Sequence, residues 1–280
     1  MLQQLSDCRT IEEVFERANL SWLAESVPLI TADGKAIDTH KAIRREDNGS
    51  ILGVVGKSYH IVQHAQAFAV LDVIANKYRA VYKTAGLIDN GRRCVIQAKL
   101  GNSFEVRPGD VHEKYLTVVN SFDGSMAVKI YFTAMRLVCK NQLNASLRNS
   151  ELSVSIKHTS AAEGRIGEAL RIFTLSNDYF QAYREKALYL TQKAVNKAMV
   201  RRFLDEVIGE ADSARKQNQR DRVEYLFSNG RGNLGSSAFD LVNGLTEWVD
   251  HDRNADNDDS KLFGSGAALK DKAFQVALSL

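Results

Sequence analysis

Proline is nearly absent from this chain: Pro28 and Pro108 are the only two in 280 residues. Helices and strands can therefore run unbroken almost anywhere. Cysteine is scarce as well. Cys8, Cys94 and Cys139 are odd in number and far apart, with no Cys-x-x-Cys and no Cys/His zinc spacing. That pattern argues against a disulfide framework and against a structural zinc. No run approaches the roughly 18 apolar residues of a membrane span, so no membrane partner is expected. The opening, MLQQLSDCRT, lacks a basic-then-apolar signal, and the expected location is cytoplasmic. Gly-x-Ser-x-Gly, His-Glu-x-x-His and Walker A patterns are missing too. No catalytic residue, cofactor or metal is assigned on that basis.

What is present is ordinary for a globular protein: 44% hydrophobic residues and 25% charged. A chain of 31.2 kDa can bury a full core, as one large or two small domains. The most informative stretch is Tyr115 to Ser160. It opens with a β-branched run, Tyr115 to Asn120. Phe122-Asp123-Gly124-Ser125 follows as a turn signal, and then comes an alternating run, Met126 to Phe132. Met126, Val128, Ile130 and Phe132 share one face; Lys129 and Tyr131 share the other. From Thr133 the spacing predicts a helix over 133–148. Met135, Cys139, Leu143 and Leu147 form its apolar stripe, and Arg136, Lys140, Asn144 and Arg148 a basic, polar stripe beside it. A strand from Leu152 ends on Lys157-His158.

The remaining elements follow from period and punctuation. Thr10-Ile11-Glu12-Glu13 fits a capping box. Trp22–Ile30, Ala36–Arg45 and Ile51–Val55 read as an antiparallel meander with Asx-Gly turns. A helix is expected from His64 to Tyr78, then a hairpin about Asp89-Asn90-Gly91. After Ser160 the period is helical throughout. The fold class is therefore α+β: an antiparallel hairpin sheet with packed helices over 1–160, followed by an all-helical region over 161–280. That region is either a separate domain or a cover for the sheet.

Charge is unevenly spread. The net is only +3, yet residues 77–157 hold 13 Lys and Arg against 6 Asp and Glu. A basic, β-rich middle is the electrostatic footprint of a polyanion partner, and it is also how sheet edges are protected. Two motif matches fail on context. Gly230-Arg231-Gly232-Asn233-Leu234-Gly235 fits G-x-G-x-x-G, but a helix is expected before it instead of a strand, so no nucleotide site is assigned. Asp250-His251-Asp252 opens like a calcium loop, but Ala255 and Lys261 stand where Gly and Glu are required. His60 and His64 have ligand spacing without an acidic neighbour, and no metal is assigned to them.

Several pieces together resemble a known family, the phage/plasmid-like proteins of unknown function. They are Leu52-Gly53-Val54-Val55-Gly56 with Tyr59, Ile61-Val62-Gln63 and Ala67-Phe68. Next come Asn120-Ser121-Phe122-Asp123-Gly124-Ser125, Arg136-Leu137-Val138-Cys139-Lys140-Asn141-Gln142-Leu143 and Lys157-His158-Thr159. The last runs from Leu241 through Asn243, Thr246 and His251 to Phe263-Gly264 and Leu269-Lys270. Family members more often carry His where this chain has Phe122. The resemblance implies a mobile-element context and brings no established reaction.

The residues themselves point first to nucleic acid, single-stranded DNA above all, with annealing or recombination as the activity and a homo-oligomeric ring or filament as the form. Lys83, Arg92, Arg93, Lys99, Lys129, Arg136, Lys140, Arg148 and Lys157 would meet phosphates. Asn141 and Asn144 would add neutral hydrogen bonds, with His158 at the strand end. Tyr131 would stack on bases. Two alternatives stay open. One is an enzyme acting on nucleic acid or nucleotides, in which Asp123, Arg136, Lys140, Asn141 and His158 converge on one pocket. The other is a protein that binds and blocks a host defence factor.

Overall fold

The structure is a computed structural model that describes every residue except 1, 6–7, 79, 139–140, 144–152, 163, 165–175, 254–256 and 263. Local chemistry sets its first elements. Thr10 caps helix α1 (Ile11–Arg17): its side chain accepts from the Glu13 N–H, and the Glu13 carboxylate reaches back to the Thr10 N–H. Strands β2 (Ala24–Ile30), β3 (Ala36–Arg45) and β4 (Ile51–Gly56) form the expected antiparallel meander, in the order β2-β3-β4. Helix α2 (His64–Tyr78) has no Gly or Pro to interrupt it. It buries Ala67, Phe68, Leu71 and Ile74 at three- and four-residue spacing.

The main sheet is antiparallel where its register is recorded. It contains β1 (Leu2–Gln4), β5 (Val81–Ile88), β6 (Arg93–Glu105), β7 (Val111–Ser121), β8 (Val128–Arg136) and β10 (Ser153–Ile156), in the order β1-β5-β6-β7-β8-β10. Strand β9 (Asn141–Leu143) also pairs with β8. Here the sequence expectation is corrected. Residues 133–136 finish strand β8, and Met135 lies opposite Gln142 across a hairpin to β9. The helix expected over 133–148 is thus replaced by strand wherever 133–136 and 141–143 are concerned. Residues 144–148 lie outside the described residues.

The cause is two-sided burial. Phe132, Thr133, Ala134 and Arg136 are all buried, so inward-facing residues occur on both faces and period-2 alternation disappears from the sequence. Beyond the sheet the chain is helical, as expected: α3 (Ser176–Gln192), α4 (Lys197–Val207), α5 (Ala214–Asn229), α6 (Ala238–Glu247), α7 (Asp258–Leu262) and α8 (Ser265–Ser279). Asn196, Ser213 and Ser237 cap α4, α5 and α6. The architecture is α+β, with antiparallel sheets first and helices last.

The chain forms two compact units. Unit 1 holds Met1–Gly101, Tyr115–Phe132 and Asn149–Ser176; unit 2 holds Asn102–Lys114, Thr133–Arg148 and Asn177–Leu280. In unit 2, Phe104, His112, Tyr183 and Phe274 build an aromatic cluster: His112 stacks on Phe104 at 5.5 Å and Tyr183 on Phe274 at 6.0 Å. Every residue of α6 is buried.

The core of unit 1 centres on His64. Its ring lies 4.3 Å from Trp22 and 5.0 Å from Phe122, both edge-on, and it stacks on Phe68 at 6.1 Å. Neither ring nitrogen has a hydrogen-bond partner. Burial, and then the nearby Arg45 charge, push its pKa down to about 3. The unfolded chain binds a proton at an ordinary histidine pKa near 6.5, whereas the folded chain binds it only near pH 3. The stability tied to this difference is complete above about pH 6.5 and falls as pH drops toward 3, by roughly 1.4 kcal/mol per pH unit. His64→Phe should remove that part of the acid sensitivity. Chemical denaturation at pH 7 and pH 5 should show the variant losing about 2 kcal/mol less than the parent; equal losses would show that His64 titrates alike in the folded and unfolded chain.

Candidate functional site

In unit 1 the motif pieces spread over residues 52–159 meet around the turn at 121–125. The Tyr59 hydroxyl donates to the Ser121 carbonyl at 2.9 Å, and Asn120 Nδ2 donates to the Val62 carbonyl at 2.8 Å. The His60 N–H donates to the His158 carbonyl at 3.0 Å, and the His158 ring stacks on Tyr59 at 4.8 Å. Gly53 runs against the turn backbone: a Cβ there would stand 2.6 Å from Asp123 Cα, so any side chain would push the turn away. These contacts explain why Gly53, Tyr59, Asn120 and His158 occur together. They lock the turn that carries Asp123 and Gly124.

His158 is buried, and neither ring nitrogen has a hydrogen-bond partner. Burial dominates and lowers its pKa to about 4, although the Asp123 charge acts in the opposite direction. The ring is therefore neutral at pH 7. The same burial, with the Asp123 charge behind it, raises the Tyr59 hydroxyl well above its ordinary value. Asp123 thus acts electrostatically on both rings.

The two last strands of the sheet bring three expected residues together. Lys129 lies opposite Ser155 and Tyr131 opposite Ser153 in the β8–β10 ladder. Lys157 follows Ser155 two positions on, one residue past the end of β10. Val128, Ile130, Phe132 and Ile156 point the other way and are buried. Lys129, Ser153, Ser155 and Lys157 are exposed, and Tyr131 is half-buried. The result is a lysine, two serines and a tyrosine on the terminal strand pair, with Lys157 just past the end of β10.

Lys83 and Lys99 lie on β5 and β6 and are half-buried. Arg92 and Arg93 follow the β5–β6 turn and share Asp89, at 3.4 Å and 3.9 Å. Asn141 lies on β9. Lys140, Asn144 and Arg148 fall outside the described residues.

Arg136 has a different task from the one its sequence position suggested. In unit 2 its guanidinium is buried and every N–H is engaged. Nε donates to Asp110 Oδ1 at 2.7 Å, and Nη2 to Asp110 Oδ2 and the Gly232 carbonyl, each at 2.7 Å. Nη1 donates to the Arg231 carbonyl at 3.2 Å and to Asn233 Oδ1 at 3.0 Å. The guanidinium also lies 5.5 Å over the Phe239 ring. Arg107 joins from the other side, donating to the Gly232 carbonyl and, at 3.1 Å, to Asp240 Oδ1. Asp240 Oδ2 in turn receives the N-terminal N–H groups of Ser236 and Ser237. No donor is left for phosphate, so the open basic stripe expected around Arg136 is corrected to a buried ion-pair network.

The glycine motif at 230–235 is the acceptor half of this network. A phosphate loop aims N–H groups at an anion; here α5 precedes the loop, and the carbonyls of Arg231 and Gly232 face two arginines. Gly232 has a φ of 71°, and a Cβ there would stand 2.8 Å from Val138 Cγ1 and 3.0 Å from Arg136 Nη2. Burial would raise the Asp110 carboxyl, but the hydrogen bonds and charge of Arg136 hold it well below the usual range. His112 lies 3.3 Å from Asp110, yet burial lowers its own pKa, so the arginine supplies the compensating charge. Two acidic residues beyond α6 are also paired: Lys270 donates to Asp250 at 2.8 Å and Arg222 to Asp252 at 2.6 Å. Among the described residues no group of three or more His, Cys, Asp or Glu could hold a metal ion, and no helix is long and apolar enough to cross a membrane.

With this geometry in place, comparison with known proteins gives a family and no activity. A model described as a domain of unknown function, DUF932, matches residues 51–271, and the chain belongs to that family. No curated protein and no solved structure matches it. The matched span includes both the turn-locking contacts of unit 1 and the arginine network of unit 2.

Removing one partner of a buried, fully bonded ion pair costs about 3–5 kcal/mol. Arg136→Ala and Asp110→Asn should each lose stability on that scale in denaturant melts. Arg136→Lys should fail to rescue, because three ammonium donors cannot serve five planar acceptor directions. A lysine variant as stable as the parent would show that charge alone, without the guanidinium fork, holds the network.

Proposed function

We propose that this protein binds single-stranded nucleic acid in the cytoplasm through the outer face of β8 and β10, as a homo-oligomer of the kind that anneals or recombines strands. The observation that carries this reading is the register. Tyr131 and Lys129 stand two residues apart on β8, opposite Ser153 and Ser155 of β10, and the exposed Lys157 follows just past the end of β10 on the Lys129 side. A single strand needs charge for its backbone and an aromatic surface for its bases, repeated along a groove or edge. Exposed lysines supply the first, and the half-buried tyrosine supplies the second. The excess of cations over residues 77–157 supports the reading, and so does the mobile-element context that the resemblance implies. DNA is favoured over RNA on that context alone.

The test is a gel-shift or anisotropy series with single- and double-stranded DNA and RNA over a range of salt. Affinity should fall with salt, with a log–log slope of about −0.7 per neutralised phosphate on single strands. Lys129→Ala with Lys157→Ala should flatten that slope and weaken every sequence alike. Tyr131→Ala should weaken binding by about 1–3 kcal/mol, with an unchanged melting curve as the control. An intact protein that shifts no nucleic acid at low salt would leave these lysines as a solvated edge and overturn the reading.

A further inference from the structure

A second place in unit 1 is built for a ligand, and it shares no residue with the β8–β10 face. The β3–β4 turn and the β5–β6 turn enclose an open cleft of about 650 Å³, lined by Arg45, Asn48, Ser50, Ile51, Leu87, Asp89, Asn90 and Arg92. At its base is Arg45, whose side chain is only 6% exposed. Its guanidinium carbon lies over the Trp22 ring, 4.3 Å from the ring centre. Asp47 grips one edge of it, accepting from Nε at 2.9 Å and from Nη2 at 2.6 Å. Nη1 is the remaining group, and no hydrogen bond engages it among the described residues. A buried arginine with one edge clamped and one edge unpaired is an oriented donor.

The opposite wall is conformationally unusual. Asp89, Asn90 and Gly91 are three successive residues in the left-handed region, with φ of 51°, 55° and 93°. Asp and Asn tolerate that region better than most residues, but a run of three exceeds what a two-residue hairpin turn needs. Unfavourable backbone held in place by its surroundings concentrates at binding sites. Its effect here is to turn Arg92 into the cleft lining, where its side chain is half exposed and only loosely paired with Asp89 at 3.4 Å. Among the lining residues the two arginines, Arg45 and Arg92, outnumber the one carboxylate, Asp89. Asn48, Ser50 and Asn90 add neutral polar groups, and Ile51 and Leu87 an apolar strip.

We infer that this cleft binds a phosphate-bearing small molecule, with Arg45 Nη1 and the Arg92 guanidinium gripping the phosphate and the Ile51–Leu87 strip available to an attached planar or apolar group. Two guanidinium groups reaching one space from different turns match the tetrahedral anion, which accepts from several directions at once. Asp89 is the displaceable counter-ion: its long contact to Arg92 gives way to the shorter bonds a phosphate makes. The shared chemistry is a phosphate, free or on a nucleotide, and the probes separate these two.

Calorimetric titration of the full chain with inorganic phosphate, with adenosine monophosphate and with adenosine tests the site. Phosphate and the monophosphate should bind and adenosine should not; a monophosphate tighter than phosphate identifies a nucleotide site, and equal affinities identify a phosphate site. Arg92→Gln, which changes an exposed side chain and leaves the core intact, should weaken both by about tenfold or more. Asp89→Asn should tighten both, because it removes the competing counter-ion. The absence of phosphate and monophosphate binding at millimolar concentration would overturn the inference, as would Arg92→Gln binding like the parent or adenosine binding as well as its monophosphate. The nucleic-acid reading is judged separately, because Lys129→Ala with Lys157→Ala leaves this cleft untouched and Arg92→Gln leaves the β8–β10 face untouched.

Discussion

Unit 2 is organised around one buried guanidinium. Five N–H groups of Arg136 meet five acceptors from two separate pieces of chain: both oxygens of Asp110 after the Pro108-Gly109 turn, and in the 231–233 loop the carbonyls of Arg231 and Gly232 and the Asn233 side chain. A charge taken out of water is tolerated only with near-complete compensation, and here compensation is complete. The constraint then propagates. Gly232 needs a left-handed φ to turn its carbonyl toward two arginines, and Asp240 must both receive Arg107 and cap α6. The end of a strand, a turn, a loop and a helix start are fixed by one set of hydrogen bonds, with Phe239 closing the face of the guanidinium.

This network also marks where the sequence misled. Most elements were legible: the α1 capping box, the meander, the limits of α2, the β5–β6 hairpin and the helices after residue 176 follow from period, caps and Asx-Gly turns. The stretch after Thr133 was not. A strand buried on both faces loses its alternation, and a buried arginine at its end looks like the start of a basic stripe. Arg136, Lys140, Asn144 and Arg148 fall at helical spacing, and nothing local says that the first of them will be enclosed. The missing signal lay far away, in Asp110 and in a glycine motif that read as a failed nucleotide loop. A long-range ion pair leaves no periodicity behind it.

The site shows the same division between local and distant information. The shared face of Lys129 and Tyr131 was legible because alternation in β8 sorts residues by face, and the ladder register sets them opposite Ser155 and Ser153. The Arg45–Arg92 cleft was not legible, because Arg45 reads as the last residue of an ordinary strand. Its role depends on Trp22 beneath it, on Asp47 beside it and on a turn forty residues later with three left-handed residues in succession. His158, expected at the strand end of the interface, is buried and stacks on Tyr59, and burial holds the ring neutral.

In unit 1, polar side chains fall into two physical classes, and the distinction bears on function. Tyr59, Asn120 and Gln63 each bond a distant backbone carbonyl, and in doing so they hold loops against the sheet. Arg45 and His158 are buried with bonding capacity left over. Unused capacity in a buried polar group is a standing cost that packing alone has no reason to retain. For His64, enclosed by Trp22, Phe122 and Phe68, that cost brings no access to solvent or ligand, so the ring acts as an aromatic member of the core. For Arg45 the unpaired edge lines an open cleft, where a ligand can reach it. The same energetic deficit therefore means packing in one place and recognition in the other, and exposure to a cavity decides between them.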